Sequence, residues 1–553
     1  MRPLFRRRTP AWRSSLAFSA SVLFLLLLFV SAKDEENLRF VRDWRPEIEP
    51  LLLIGAIAFL SLTGRQLAAG VRWLLAGVIF LAALLQFVDA MVVGVFDRAL
   101  DLYFDLPHVP SLLALFYQAA GPWRGAAAMG GAVLASAALV TLIAVALHAI
   151  GNALEPRTNA WLCLGLVLLA IVALPAARLA GLAAPLGWRT SPVIGEQLTR
   201  VYRAFAVTHG LDNRYAAVLG APQPVATALP GLKHQDVYLV FFESLGTVAL
   251  DDKRYAPTVL PALDDFARRV GDAGYGLVSN RMVSPTFGGG SWLAHGTMDS
   301  GVKLDPLLTR LITASRRETL PRYMRAAGYR SVAVMPGLKS SEPEQGFWGF
   351  DRSYRAADLA YEGPPFGWFD IPDQYTLRRL DETEGAPGHR PLFAQIVLVS
   401  SHTPFVPVPP YVADWTGGDL YRNVPQADWD RIYAPPDWSH LDRAYAESVV
   451  YDLQTLGAWL ARLPGDALVI ILGDHQPPGF ISGEKQPWTV PVYALSRDPE
   501  LLQPFRAVGY VEGAVPPPLA AAKGMESFLG DFLRGFAVPA ATAGGEALEP
   551  LPY

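Results

Sequence analysis

Residues 467–475 read Ala-Leu-Val-Ile-Ile-Leu-Gly-Asp-His: six apolar residues, then a glycine, a carboxylate and an imidazole. A short run that is apolar throughout reads as a strand covered on both faces, the habit of parallel sheets. Runs at 237–242, 331–335 and 392–399 have the same character. Amphipathic segments at 260–273, 320–327 and 441–463 separate them and read as helices. Strand–helix alternation of this kind predicts one mainly parallel α/β sheet sandwiched by helices, occupying residues 231–537.

In such sheets, ligands gather beyond the carboxyl ends of the strands. The run at 237–242 delivers Glu243 and Ser244 there, the run at 392–399 delivers Ser400, Ser401 and His402, and the run at 467–472 delivers Asp474 and His475. Carboxylates and imidazoles converging on one edge suit a divalent ion, and mixed nitrogen and oxygen donors favour Mn2+ or Zn2+ over Mg2+. A fourth element is Thr286-Phe-Gly-Gly-Gly-Ser291-Trp292. Its glycines permit a tight turn, and a helix starting at Trp292 would leave Ser291 at the helix N-terminus, where the dipole favours developing negative charge. Beside a metal, the Ser291 hydroxyl becomes a usable nucleophile; without one, it reads as a plain helix cap. His295 falls about one turn later and either touches substrate or packs the helix, Asp299 reads as a supporting or helix-end charge, and 488–492 as a continuation of the sheet.

Upstream of the sheet the composition changes. Of 553 residues, 51% are hydrophobic and only 18% charged, and the mean hydropathy is +0.24, too apolar for an ordinary soluble enzyme. The net charge of −4 argues against a nucleic-acid partner. The single cysteine, Cys163, excludes disulfide scaffolds and cysteine-ligated zinc. The apolar excess lies in residues 1–180, with candidate spans at 15–32, 50–64, 73–96, 125–148 and 160–177. Asp89 sits inside the third, near a helix end. Five arginines precede the first span, and Arg65, Arg72 and Arg157 occupy short loops. The positive-inside rule puts these in the cytoplasm, so five crossings place the sheet outside it. This predicts a multi-pass protein of a bacterial inner (cytoplasmic) membrane with a periplasmic or extracellular catalytic domain. Residues 181–230 read as a connector with an amphipathic helix at 195–207, and 538–553 as a disordered tail.

These residues, in this order and after about five spans, resemble the membrane-anchored alkaline-phosphatase/sulfatase superfamily, in particular its lipoteichoic acid synthase and phosphoglycerol transferase branch. The phosphoethanolamine transferases that modify lipid A are more distant relatives. The resemblance rests on Phe242-Glu243-Ser244, the glycine turn into Ser291, Ser401-His402-Thr403-Pro404-Phe405, and Gly473-Asp474-His475 preceded by the run from Tyr445 to Leu453. It implies an alkaline-phosphatase-like fold in which Glu243, Asp474 and His475 bind one metal, with the Ser291 oxygen as fourth ligand. It makes Ser291 the nucleophile, where the family usually has Thr. It makes His402 the residue that contacts the phosphoryl substrate or protonates a leaving group. Trp348 resembles an aromatic lining the head-group pocket; the Arg often found two places later is Phe350 here, and Arg352 is the candidate substitute.

The activity so implied is transfer of a phosphoglycerol or phosphoethanolamine head group from a membrane phospholipid to an extracytoplasmic glycan or lipid, through a covalent intermediate on Ser291. Hydrolysis of the same ester by a membrane-bound phosphodiesterase or phosphatase uses the same residues, and a non-catalytic relative is the third reading. Sulfate ester hydrolysis is disfavoured. The formylglycine signal needs Pro and Arg after the modified residue, and Ser291 is followed by Trp292, Leu293, Ala294 and His295.

Overall fold

The computed structural model describes residues 11–537 apart from 35–38, 111–112, 114–121, 181–185, 225–227, 339–344, 387, 417–419, 423–436, 438–439, 484–485 and 519–521. The expected tail and most of the arginine-rich start fall outside the described residues. The chain divides into two compact units, Met1–Asp212 and Asn213–Tyr553.

The first unit is helical, with a small antiparallel pair β1 (Ser31–Asp34) and β2 (Arg39–Arg42). Two helices, Ala69–Phe96 and Trp123–Ala153, are long and apolar enough to cross a membrane. Shorter apolar helices occupy Ser15–Leu27, Ile48–Leu62 and Arg157–Ala173. Helices therefore form at all five apolar runs, and among the described residues two have the length and composition of a span. Asp89 is buried and accepts a hydrogen bond from the Leu100 amide at 3.0 Å, so it ties the chain back onto the end of its helix. The amphipathic helix of the connector runs Thr190–Thr208 and belongs to this unit, with Val193, Gln197, Ala204 and Val207 buried.

The second unit is built on β3 (Val237–Phe242), β4 (Gly276–Val283), β5 (Arg330–Met335), β6 (Arg352–Arg355), β7 (Leu392–Val397), β8 (Leu468–Gly473), β9 (Thr489–Ser496), β10 (Val511–Glu512) and β11 (Lys523–Gly524). Their order is β10-β4-β9-β8-β3-β7-β5-β6, with β11 beside β4. The run β8-β3-β7-β5-β6 is parallel, β9 is antiparallel to both its neighbours, and β4 therefore points the same way as β8. The sheet is mixed and mainly parallel, as its apolar strands predict.

Both faces are covered. Tyr238, Val240 and Phe242 of β3 pack with Val469 and Ile471 of β8 on one side. Val237, Leu239 and Phe241 pack with Leu468, Ile470 and Leu472 on the other. Each such side chain contributes roughly 1.5–3 kcal/mol by leaving water, which is why these strands carry no polar alternation. The helices Ala256–Asp272 and Leu441–Leu460 lie against the first face, and Leu320–Ala326 and Ser527–Phe536 contribute to the second. β4 departs from the pattern: Ser279, Asn280 and Arg281 interrupt it, and Arg281 pairs with Asp251 at 2.5 Å. A strand satisfied partly by polar partners leaves no apolar run to announce it.

β3 and β8 are in register through Phe242 opposite Gly473. Gly473 has no side chain because none fits: a Cβ there would fall inside the contact envelope of the Leu245 carbonyl oxygen, a backbone atom that cannot move aside. Gly473→Ala is therefore expected to destabilise the second unit by at least about 3 kcal/mol, read as a lowered denaturation midpoint. Unchanged stability would show that the Phe242–Leu245 turn is not rigid.

Candidate active site

Four strand ends and one turn meet at the carboxyl edge of the sheet. Glu243 follows β3, and the next residue, Ser244, holds a left-handed backbone (φ 57°) that turns the chain sharply. Its amide donates to Asp474 Oδ1 at 2.8 Å and its hydroxyl to Glu243 Oε1 at 2.9 Å. Strain at a non-glycine residue persists where surrounding bonds fix it. Here those bonds orient two carboxylates from adjacent strands.

β4 ends at the same edge. Ser284 donates to the Asp474 carbonyl at 2.6 Å, and the Gly288 amide to the Gln476 carbonyl at 3.0 Å, so the loop after β4 is pinned to the strand end that carries Asp474 and His475. Gly288, Gly289 and Gly290 all have positive φ (69°, 150° and 77°), a run that only glycine adopts without strain. The helix they feed is Ser291–Ser300 with Gly290 as its N-cap, so Ser291 is the first helical residue, one place later than the cap role read from sequence. The left-handed glycine occupies the cap position and frees the hydroxyl to point elsewhere. Gly289→Ala should cost about 1–2 kcal/mol and displace Ser291. A lowered melting temperature together with lost turnover is the expected result; a variant fully active at unchanged stability would contradict it.

Ser291 Oγ lies 3.0 Å from Glu243 Oε2, to which it donates, and 3.1 Å from His475 Nε2. His475 Nδ1 lies 2.7 Å from the Gln476 carbonyl, which only accepts, so Nδ1 carries the proton and Nε2 presents its lone pair to the site. Asp474 Oδ1 also accepts from the His475 amide at 2.7 Å. Its other oxygen, Oδ2, is buried with no hydrogen-bond donor among the described residues, 3.5 Å from His475 Nε2. Ligand atoms of Glu243, Asp474 and His475 all lie within 4.8 Å of one another, and all three residues are buried. Burial first, then the neighbouring Glu243, push the Asp474 carboxyl up to about 6. For His475, burial opposes charge, but Asp474 and Glu243 outweigh it and raise the imidazole above its ordinary value. Two buried carboxylates, an orphaned oxygen and an imidazole lone pair together form a donor set that fits a divalent cation.

His402 follows β7. Its Nδ1 lies 2.7 Å from the Thr403 carbonyl, leaving Nε2 as the lone-pair nitrogen. Its ring stacks on Trp368 (5.9 Å between centroids, 24° between planes) and meets the edge of Phe369 at 4.8 Å. Burial lowers it to about 4, and the charges of His475 and Asp474 reach it, so it shares their site and is neutral near pH 7. A neutral imidazole accepts a proton; it is poorly suited to begin by donating one.

The structure does not bring every expected residue here. Trp348 packs against Phe347 (4.9 Å), and its indole lies where a Cβ on Gly296 would sit, at 2.8 Å, on the flank of the Ser291 helix. Arg352 is half exposed at the amino end of β6, paired with Asp358 at 2.7 Å and lying over Tyr354. Because β6 is parallel to β5, the arginine at the carboxyl edge is Arg355, opposite Met335. The His295 ring lies 4.1 Å from Phe241, tilted at 46°, and among the described residues its buried Nε2 has no hydrogen bond. Asp299 is buried in the last turn of the same helix, accepts from Gln395 at 3.2 Å, and is pushed by burial up to about 7.

Trp368, Phe369 and Asp373 are residues that sequence reasoning does not single out. The aromatic pair and Asp373 reach His402 only through the tertiary fold.

Residues 298–489 match the Sulfatase family, a stretch that takes in His402, Asp474 and His475. The match begins after Ser291 and ends beyond His475. Among solved structures the chain is similar to a lipoteichoic acid synthase from Listeria monocytogenes (15% identity, 60% of this chain and 78% of that one, TM-score 0.39). It is similar also to a Streptococcus pyogenes phosphoglycerol transferase in complex with sn-glycerol-1-phosphate (13%, 60% and 81%, 0.36). A third is the C-terminal periplasmic domain of a phosphoethanolamine transferase from Campylobacter jejuni (12%, 55% and 89%, 0.34). No protein of curated function matches the sequence.

Proposed function

We propose that this protein is a membrane-bound phosphotransferase that moves a phospholipid-derived head group, phosphoglycerol or phosphoethanolamine, onto an extracytoplasmic glycan or lipid. The observation that carries the reading is the placement of Ser291 Oγ, at the start of a helix and within 3.0–3.1 Å of both Glu243 Oε2 and His475 Nε2. Glu243, Asp474 and His475 would hold one divalent ion, Mn2+ or Zn2+, with the Ser291 oxygen beside it. Such an ion, when bound, lowers the pKa of the serine hydroxyl and offsets charge on the phosphoryl oxygens.

The protein's own residues do the rest. Glu243 accepts the Ser291 proton, and the oxygen attacks the phosphodiester phosphorus, breaking the bond to diacylglycerol, whose alkoxide takes that same proton back from Glu243 by way of solvent. The head group is then a phosphodiester on Ser291. His402, neutral and with Nε2 available, takes the proton of the acceptor alcohol as that oxygen displaces Ser291, and the proton passes on to the released Ser291 oxygen, restoring both residues. The N-terminus of the Ser291–Ser300 helix favours the negative charge on the serine oxygen in both steps. The Sulfatase family name does not carry sulfate chemistry here, because Ser291 lacks the Pro and Arg that direct formylglycine formation.

In this reading residues 1–180 form five spans of a bacterial inner membrane, 181–230 connect, and 231–537 act outside the cytoplasm on a lipid drawn from the same bilayer. The test uses vesicles of phosphatidylglycerol or phosphatidylethanolamine labelled in the head group, with a glycan acceptor. Transfer predicts diacylglycerol in step with label on acceptor. Label released as free head-group phosphate would instead assign a phosphodiesterase. No diacylglycerol from either lipid would end the proposal.

A further inference from the structure

The turn that carries His402 is held by a pair of acids. Asp373, at the start of the helix Asp373–Glu384, accepts the Val399 amide at 2.8 and 3.0 Å and the Ser400 amide at 2.7 Å. Its own amide donates to Ser400 Oγ at 3.1 Å. The next residue, Gln374, clamps the far end of the same segment through both the carbonyl (2.6 Å) and the amide (3.0 Å) of Val412. Asp452, on the helix Leu441–Leu460, meets the Asp373 carboxyl side chain to side chain. Both acids are fully buried.

Among the described residues, neither oxygen of Asp452 receives a hydrogen bond. Ser401 is beside it, but the one proton of Ser401 Oγ is spent on the Glu243 carbonyl at 2.7 Å. A buried carboxylate facing another carboxylate, with no donor, is costly to keep ionised. A carboxylic acid in the same place donates to Asp373 and removes the conflict. Asp373 already accepts backbone amides and is the better seat for the negative charge. We propose that Asp373 and Asp452 act as one carboxylate–carboxylic acid unit sharing a single proton, and that this unit is a positioning device for His402.

The groups facing the pair are Ser400 and Ser401 of the turn, Tyr421, and Tyr451 on the Leu441–Leu460 helix. Tyr421 donates to Gln374 Oε1 at 3.0 Å and lies 3.1 Å from Tyr451 Oη. Burial, followed by the neighbouring Asp373, holds Asp452 well above the usual carboxylate range. Loss of the shared proton on the alkaline side places two negative charges in contact, and the turn gives way. Stability that depends on a raised carboxyl is present below the unfolded value and lost as pH rises through the folded one.

The test combines hydrogen exchange with kinetics on the full chain in detergent. In wild type, protection of the Val399 and Ser400 amides, corrected for the intrinsic pH dependence of exchange, should fall at least about tenfold between about pH 6 and about pH 10. Asp452→Asn, a neutral group of the same shape that donates permanently, should keep that protection across the range. The kinetic arm rests on the reaction proposed above and uses phosphatidylglycerol vesicles. Asp452→Asn should hold kcat and KM within about threefold at neutral pH and extend the alkaline limb, whereas Asp373→Asn should lower kcat about 10- to 100-fold with KM little changed. An Asp452→Asn variant that loses protection with pH as wild type does would overturn the proposal, as would an Asp373→Asn variant of full kcat. If Asp373→Asn does not fold, Asp452→Asn decides alone. The exchange arm needs no substrate, so wild type inactive on the lipid would refute the reaction and leave the acid pair to be judged on exchange.

Discussion

Ser291→Ala is expected to abolish head-group release, lowering diacylglycerol formation by at least about 1000-fold, the usual scale for loss of a catalytic nucleophile. The substitution removes one oxygen at the start of a helix whose cap is Gly290, so the helix itself should survive. Stability should stay within about 1 kcal/mol of wild type, because among the described residues the hydroxyl donates one hydrogen bond, to Glu243, with His475 Nε2 at 3.1 Å. Ser291→Thr should retain activity within about tenfold, since an alcohol oxygen remains and the added methyl meets only an intermediate level of burial. Intact-protein mass spectrometry after exposure to phosphatidylglycerol or phosphatidylethanolamine checks the covalent step. Wild type should gain the mass of one phosphoglycerol or phosphoethanolamine group, and the Ala variant none. Diacylglycerol release by Ser291→Ala at the wild-type rate would show that the serine is not the nucleophile.

How far the sequence reveals this site depends on how each residue is delivered. Glu243, His402, Asp474 and His475 follow strands that are apolar on both faces, so the strands were visible and their ends pointed to one edge. Ser291 is announced by three glycines whose backbone angles the fold requires. The turn's anchoring to Gln476 was not visible, because it is a backbone contact nearly 190 residues away in sequence. β4, which brings that turn to the correct edge, was missed because Ser279, Asn280 and Arg281 break its apolar run. Arg352 was misplaced for a related reason: without the start of β6, the residue on the carboxyl edge could not be told from the one three places earlier. Trp348 is expected in the head-group pocket from the resemblance alone, and no sequence signal shows that Gly296, on the Ser291 helix, leaves the space its indole fills. The membrane half was legible as apolar runs, but length separates two candidate spans from three shorter helices, and composition alone does not.

Asp474→Asn should abolish metal binding and lower turnover by at least about 1000-fold, while making the metal-free protein less sensitive to pH. Glu243 and Asp474 end adjacent strands, both buried, and in the absence of a cation the Glu243 charge raises the cost of ionising Asp474. That conflict, after burial itself, is why the Asp474 carboxyl sits at about 6. The sign follows from the direction of the shift. A carboxyl raised in the folded state stabilises fully below its unfolded value near 4, and that contribution disappears as pH rises through about 6. Metal-free wild type should therefore lose stability between about pH 4 and about pH 7, on the order of 3 kcal/mol from this group. His475, raised in the same environment, changes in the same direction. Asn at position 474 removes the charge and with it most of that slope. A divalent ion acts as the proton does, offsetting both carboxylates, but persists at neutral pH, so adding Mn2+ or Zn2+ should raise the wild-type melting temperature and leave that of the variant unmoved. Metal analysis of the purified proteins, with calorimetry across pH in chelator and in added metal, checks each part. Equal metal content in wild type and Asp474→Asn would remove Asp474 from the ligand set. An unchanged pH slope in the variant would mean that the strand-end carboxylates do not repel each other as their burial and adjacency require.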